Sequence, residues 1–198
     1  MTTATDIWHR FEAQRDEIDK RGFTVVVLGY SFNLFADAVN SLDTVSPNAA
    51  ALLCRATVES AGYLFLTRAR MPKSSAYKLD FPRDLAGRVR WVSFEEIISG
   101  LAERGVIKNE LLKVANRIKD DGNFAAHLAA RQDSAFDREF TLRAKAAKEG
   151  ETIPFFGSRV MVTPEEAAAN VEGTGQILLA LTRAVRKEME LADPSAWT

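Results

Sequence analysis

Three strongly marked helix starts constrain the fold of this chain more than any other feature of its sequence. Ser46-Pro47 places an N-capping residue before a proline at the first helical position. Ser93-Phe94-Glu95-Glu96 is a capping box, in which the serine and the last glutamate satisfy each other's free backbone donors. Thr163-Pro164-Glu165-Glu166 combines both signals. Repeated long helices with little strand signal between them predict an all-α helix bundle.

The spacing of apolar residues sets the expected helix bounds. Helices are predicted near residues 6–20, 47–70, 93–104, 109–130 and 164–191. Residues 23–42 are ambiguous, because Phe23 to Leu28 has the composition of a strand whereas the following apolar residues recur at helical spacing. We favour a helix from about Ser31. Three connecting stretches are expected to be irregular or only briefly helical: 71–92 a loop, 134–149 a short helix, and 150–162 a loop or a strand.

Composition narrows the class of protein without naming a partner. The chain has 198 residues, 46% of them hydrophobic, and a net charge of −1, so it is expected to be globular and has no overall bias towards nucleic acids or membranes. A single cysteine, Cys54, fits a reducing compartment. No signal peptide is apparent, and the densest apolar run, Phe23–Leu28, is far shorter than the roughly 20 residues of a spanning helix. We therefore expect a cytoplasmic protein that does not enter a membrane.

Two charged residues interrupt the apolar face of the helix predicted over 47–70. At 100° per residue Glu59 lies about 40° from Arg55, and both fall within the apolar stripe. Burying charges is costly unless they are paired, and the i, i+4 spacing lets Arg55 and Glu59 pair with each other. Two interpretations are open. The pair is either a structural ion pair that fixes the helix register or part of a charged pocket that binds a ligand.

The helix predicted over 109–130 carries a polar face that includes Asn123 and His127. A solvated surface explains most of that face. An asparagine one turn before a histidine can in addition orient the imidazole or bind the same ligand. This projection requires the helix to continue through Asp121-Gly122, where the sequence also allows a break.

The sequence lacks the usual patterns for a metal or a nucleotide cofactor, and neither is expected. There is no His-x-x-x-His, Cys54 stands alone, and no Walker-type or dinucleotide glycine pattern occurs. Gly173-Thr174-Gly175 lies inside a helical pattern and is expected to allow close helix packing. The stretch from Arg68 to Arg90 contains seven basic and two acidic residues. Such a composition is typical of a solvated loop; the alternative is a patch that faces RNA.

Four segments, in this order, resemble the bacterial domain of unknown function family 4145, which is related to the HEPN superfamily of helical bundles. They are the proline-started helix with Arg55-x-x-x-Glu59, the stretch Ile98–Ile107, the segment Leu111–His127 with its arginine, Gly-Asn and Ala-His, and the helix Val162–Leu178. The resemblance covers residues 46–70 and 93–185, and a longer connection at 131–161 interrupts it. It implies a HEPN-like bundle over 46–192, with an N-terminal helical extension at 1–45.

The resemblance implies a set of candidate roles. Many HEPN proteins are metal-independent ribonucleases of toxin, restriction and antiviral systems that act as dimers. In their chemistry a histidine moves a proton at the ribose 2′-OH or the leaving oxygen, and an arginine stabilises the phosphorane charge. His127 would be the acid/base, Arg55 or Arg117 the phosphate clamp, and Asn123 and Glu59 the orienting residues.

This chain departs from the HEPN motif at the arginine. The positions separated from His127 by four to six residues are Gly122, Asp121 and Asp120, none of which is basic, and the nearest candidate arginine, Arg117, points about 80° away on an ideal helix. We therefore favour a non-catalytic HEPN-like module, expected to be a homodimer that binds RNA, a nucleotide or a neighbouring effector protein. The alternatives are a ribonuclease that uses His127 and a purely structural bundle.

Overall fold

The computed structural model describes residues 3–20, 22, 24–44, 46–67, 83, 85–88, 92–127, 145, 148 and 162–192. These ranges contain six helices with defined bounds: α1 Ala4–Ile18, α2 Thr24–Thr44, α3 Pro47–Thr67, α4 Phe94–Glu103, α5 Glu110–Ala126 and α6 Pro164–Ala192. No β-strand occurs within the described ranges. The predicted all-α class is confirmed.

The helix starts predicted from local sequence are confirmed by their hydrogen bonds. The Ser93 hydroxyl accepts from the backbone N–H of Glu96 at 3.2 Å, and the Ser93 N–H donates to the Glu96 carboxylate at 2.8 Å. Thr163 and Glu166 form the same reciprocal pair at the start of α6. The Ser46 hydroxyl accepts a backbone N–H from the first turn of α3 at 3.1 Å. Each cap is complete within four residues, so it depends little on the rest of the fold.

The second helix begins earlier than the sequence predicted. α2 is helical from Thr24, so the strand composition of Phe23–Leu28 does not produce a strand in its described part. The backbone N–H and the hydroxyl of Thr24 both donate to the Asp19 carboxylate, at 2.6 and 2.5 Å. Leu28 and Phe35 are then fully buried at helical spacing. Burial of that row outweighs the strand propensity of the three consecutive valines.

α3 occupies the centre of the bundle and packs against α2, α4, α5 and α6. It runs antiparallel to α2 and parallel to α4 and α6, as its paired contacts along these neighbours show. The contacts of α5 with α6 run in opposite directions along the two helices, so α5 is antiparallel to α6 and therefore to α3. Small residues let these neighbours approach closely. A Cβ atom on Gly62 would lie 2.4 Å from Cγ2 of Ile97 in α4.

The first two helices belong to the same hydrophobic core as the other four. The rings of Phe11 in α1 and Phe35 in α2 meet edge to face, 4.7 Å apart between centroids. A Cβ on Gly175 of α6 would lie 3.1 Å from Cζ of Phe35. The N-terminal extension predicted over 1–45 thus shares one continuous core with the bundle predicted over 46–192.

Several sequence predictions lie outside the described residues. They are the short helix at 134–149, the insertion at 131–161, the loop-or-strand stretch at 150–162 and most of the basic stretch from Arg68 to Arg90. The described residues within them are Arg83, Leu85–Arg88, Lys145, Lys148 and Val162.

α2 and α3 are each long and apolar enough to cross a membrane, judged by length and composition alone. The sequence expectation considered the densest apolar run and missed this, because alanine, glycine and scattered aliphatic residues sustain the hydropathy over 21 residues. Buried core helices of soluble proteins pass the same test.

Candidate functional site

Arg55 lies where α3, α4 and α5 meet. Its aliphatic stem crosses Gly122 of α5 so closely that a Cβ there would lie 2.6 Å from Cβ and 2.7 Å from Cδ of Arg55. The guanidinium carbon is 5.9 Å from the centroid of the Phe94 ring, within the range of a cation–π contact. Nη2 is 4.0 Å from Oε2 of Glu59. Because Gly122 has no side chain, the side chain of Arg55 can pass over α5 at this point and reach α4.

The Arg55–Glu59 pair is half-buried. The two side chains are 28% and 39% exposed, so they flank the buried stripe of α3, which is centred on Cys54 and Val58, rather than occupy it. An ion pair of this length and exposure stabilises the fold by about 0–1 kcal/mol. Nε of Arg55 is buried, and no residue that the structure describes accepts a hydrogen bond from it. The structure thus shows the predicted i, i+4 pair, together with a donor for which the described residues provide no acceptor.

Arg117 is engaged by α6. Its Nε donates to Oδ1 of Asn170 at 3.0 Å, and its Nη2 donates to the carbonyl oxygen of Ala169 at 2.9 Å. Nδ2 of Asn170 in turn donates to the Asp121 carboxylate at 2.8 Å. Asn170 is fully buried and Asp121 is 5% exposed. A buried carboxylate requires such donors. The chain of hydrogen bonds from Arg117 through Asn170 to Asp121, which we call the relay, therefore joins α5 to α6.

His127 lies at the exposed C-terminal end of α5, and its backbone N–H donates to the carbonyl of Asn123 at 3.1 Å. The helix continues through Asp121-Gly122 without a break. Within the described part of the chain the imidazole has no hydrogen-bond or ion-pair partner. Asn123 is partly buried one turn before it.

The predicted site residues point in different directions. Arg55 extends towards Glu59 and Phe94, whereas Arg117 extends towards α6. Because α3 and α5 are antiparallel and Arg55 crosses Gly122, Glu59 lies on one side of that crossing and His127 on the other. An acid/base and its phosphate clamp must share one reacting centre. The described residues of one copy bring Arg55 and Glu59 together, but not either arginine with His127.

Sequence reasoning missed the part of this region that is most deeply buried. Asn170 was not predicted as important, although a polar residue within the otherwise apolar run Ala167–Val171 was the available signal. Asp121 was considered only as a position that lacks the arginine of the HEPN motif. Gly122 was considered as a break in the helix, and its closeness to Arg55 depends on a tertiary contact that no local pattern encodes.

The remaining candidate features are structural. Burial raises the pKa of the Cys54 thiol to about 12, although the nearby hydroxyl of Thr174 opposes the shift, so this thiol is no nucleophile at neutral pH. Gly173 packs against Val114 of α5, where a Cβ would lie 2.3 Å from Cγ1, and the predicted close packing is confirmed. Among the residues that the structure describes, no cluster of three or more histidine, cysteine or acidic side chains could hold a metal ion.

Comparisons of the chain with protein-family models, with curated proteins and with solved structures give no match. The resemblance to family 4145 therefore stays a prediction, and the function is argued from the geometry.

Proposed function

We propose that this protein is a non-catalytic HEPN-like module of the bacterial cytoplasm. It acts as a homodimer in a defence system and binds a nucleotide, a nucleic acid or a neighbouring effector protein. The observation that carries the proposal is the engagement of both candidate arginines by groups of the protein itself. Arg117 is held by α6, and Arg55 is directed to Glu59 and Phe94.

A ribonuclease of this type needs an arginine with donors available to phosphate oxygens beside the histidine. Freeing Arg117 would break its hydrogen bonds to Asn170 and to the carbonyl of Ala169. Asn170 also holds the buried Asp121 carboxylate, so the cost would extend into the core. Arg55 would leave Glu59 and turn along α5 towards His127. A module that binds without catalysis requires neither rearrangement.

RNA cleavage by the purified protein tests this proposal. Single-stranded and structured RNAs are incubated in EDTA with the wild type, with His127→Ala and with His9→Ala, which removes the chain's other histidine from an exposed position on α1. We expect no cleavage by any of the three. Cleavage by the wild type and by His9→Ala that is lost in His127→Ala would refute the non-catalytic function.

The metal-independent ribonuclease is the second candidate, and one observation favours it. The His127 imidazole is exposed and unpartnered in the described part of the chain, so a second copy could bring an arginine to it. Cleavage would then require the homodimer. Light scattering beside the cleavage assay would show activity rising with the dimer fraction, which the non-catalytic proposal does not predict.

We also propose that α2 and α3 are core helices of a soluble protein. Arg55 and Glu59 lie near the middle of α3, where a charge in the bilayer centre would cost several kcal/mol. We expect the protein expressed without detergent to stay in the supernatant after ultracentrifugation. Recovery in the membrane pellet that salt washing does not release would contradict this.

A further inference from the structure

An apolar groove lies between the outer faces of α2 and α3, on a part of the molecule that the candidate site uses only through Glu59. Its volume is about 510 Å³. Its lining comes from α2, α3, α4 and Val92, which precedes α4, and is mostly apolar; it includes Tyr30, Leu34, Glu59, Ser60 and Tyr63. A hydrogen bond of 3.0 Å between Ser31 and Ser60 joins the two walls. We call this feature the α2–α3 groove.

The apolar surface continues beyond the groove along α2. Val26, Tyr30 and Leu34 follow one another at i, i+4 and i+8, so they form a row about 12 Å long on one face. Val26 and Tyr30 are each 66% exposed. Apolar residues grouped in this way mark an interaction surface more often than scattered ones do. A small ligand would fill the groove and leave Val26 uncovered, whereas an elongated partner covers both.

Apart from Arg55, the charges around the groove are acidic in the part of the chain that the structure describes. Glu59 is the one charged residue of its described lining. Asp37 is exposed one turn beyond Leu34 on α2, and α2 contains no lysine or arginine. Arg55, whose Nη2 is 4.0 Å from Glu59, also extends towards Phe94 of α4, and at this distance and exposure it offsets only part of the Glu59 charge. A partner that buries its apolar residues here therefore gains from basic residues at its edge.

We propose that the α2–α3 groove docks an amphipathic helix of a partner protein, with an apolar row between the two walls and with lysines or arginines facing Glu59 and Asp37. This inference rests on the proposed binding function and names the class of partner. Helix-in-groove recognition uses apolar anchors at i, i+3, i+4 and i+7, and the paired helical ridges of α2 and α3 offer a matching surface.

Charge distinguishes this occupant from two others. A second copy docked on the same face by two-fold symmetry would bring Glu59 and Asp37 of both copies together without a basic residue of α2 to offset them. An anionic membrane surface would be repelled by the same acids. The homodimer of the proposed function would use another face.

Two synthetic peptides test the proposal. Both form amphipathic helices with the same leucine row; one carries lysines at the polar edge and the other carries glutamates. Fluorescence anisotropy measures their binding to the full-length protein. We expect the lysine peptide to bind at least about ten-fold tighter, which corresponds to about 1.4 kcal/mol.

Two variants with matched controls locate the binding. Tyr30→Ser, at an exposed position that leaves folding intact, should weaken the lysine peptide about ten-fold, whereas Val25→Ser, on the same helix outside the lining, should not. Glu59→Gln should narrow the preference between the peptides to about two-fold, and Glu103→Gln on α4 should leave it unchanged. Circular dichroism confirms that each variant folds.

Four outcomes would overturn the proposal: neither peptide binds, Val25→Ser weakens binding as much as Tyr30→Ser, Tyr30→Ser dissociates a homodimer, or Tyr30→Ser releases the protein from anionic vesicles. The RNA assay is independent of these measurements. If no RNA is cleaved and neither peptide binds, the groove inference alone is refuted. If RNA is cleaved and the cleavage requires His127, the proposed non-catalytic function is refuted.

Discussion

At the scale of single residues, the contact between Arg55 and Gly122 yields the sharpest prediction. Gly122→Ala places a Cβ 2.6 Å from Cβ of Arg55, an atom fixed to the α3 backbone that cannot swing aside. We expect the variant to lose about 1–3 kcal/mol of unfolding free energy because the two helices must separate. Urea unfolding followed by circular dichroism measures the loss.

Gly29→Ala is the matched control for that substitution. A Cβ on Gly29 in α2 would meet Cγ1 of Val25 at 3.4 Å, an ordinary van der Waals distance. Alanine is favoured over glycine within a helix, so this variant should gain up to about 1 kcal/mol. Equal gains in both variants would show that Arg55 does not cross Gly122.

The single cysteine reports on opening of the core. Because burial raises the pKa of Cys54 to about 12, its thiol stays protonated and shielded at pH 8. We expect one equivalent of a thiol-reactive disulfide reagent to react only as urea unfolds the protein. The unfolded thiol ionises near pH 8.5, so stability contributed by the neutral thiol is complete below that pH and is lost as pH rises towards 12. Rapid labelling in buffer at pH 8 would contradict the burial.

Residue-level prediction from sequence succeeded where the contact was local. The Arg55–Glu59 pair follows from i, i+4 spacing alone. The direction of the guanidinium depends on Phe94, which is far away in the sequence, and the direction of Arg117 depends on Asn170, 53 residues later. Helical projection shows on which face of its helix a side chain lies, but not which other helix packs against that face.

At the scale of helices too, features set by local contacts could be predicted from sequence, whereas features set by tertiary contacts could not. Capping pairs close within four residues, so the starts of α3, α4 and α6 could be read from sequence. The start of α2 could not, because its valines locally favour a strand and only the burial of Leu28 and Phe35 selects the helix. The groove also escaped prediction, since it is formed by three helices together.

The relay between α5 and α6 predicts that loss of the Asn170 side-chain amide strongly destabilises the fold. Asn170→Ala removes a donor to the buried Asp121 carboxylate and an acceptor for Nε of Arg117. We expect a loss of about 2–3 kcal/mol in unfolding free energy, because a hydrogen bond to a buried charge is lost without replacement by water. Chemical unfolding provides the measurement.

Asn116→Ala provides the comparison for that loss. Asn116 is exposed on α5, and among the described residues its side chain donates only to the carbonyl of Leu112 in its own helix, at 3.1 Å. This variant should stay within about 0.5 kcal/mol of the wild type. If Asn170→Ala were equally mild, the relay would not stabilise the contact between α5 and α6.

At the scale of the whole molecule, the shared core predicts that the chain is not divisible at residue 45. Removing residues 1–45 would expose the faces of α3 and α6 that α1 and α2 cover, including the pocket around Gly175 filled by Phe35. We expect the fragment 46–198 to lack a cooperative thermal transition and to aggregate. A sharp two-state transition in the fragment would instead support an independent domain over 46–192.

The passage of Arg55 across Gly122 also makes the two positions interdependent during sequence change. While arginine occupies position 55, a Cβ at position 122 would meet Cβ, Cγ and Cδ of that side chain; alanine at position 55 would still present its Cβ at 2.6 Å, and only glycine there releases position 122 from the restriction. The order of substitution therefore matters. A path that enlarges residue 122 first passes through this steric clash, whereas one that first introduces glycine at position 55 avoids it, so the two sites are epistatic.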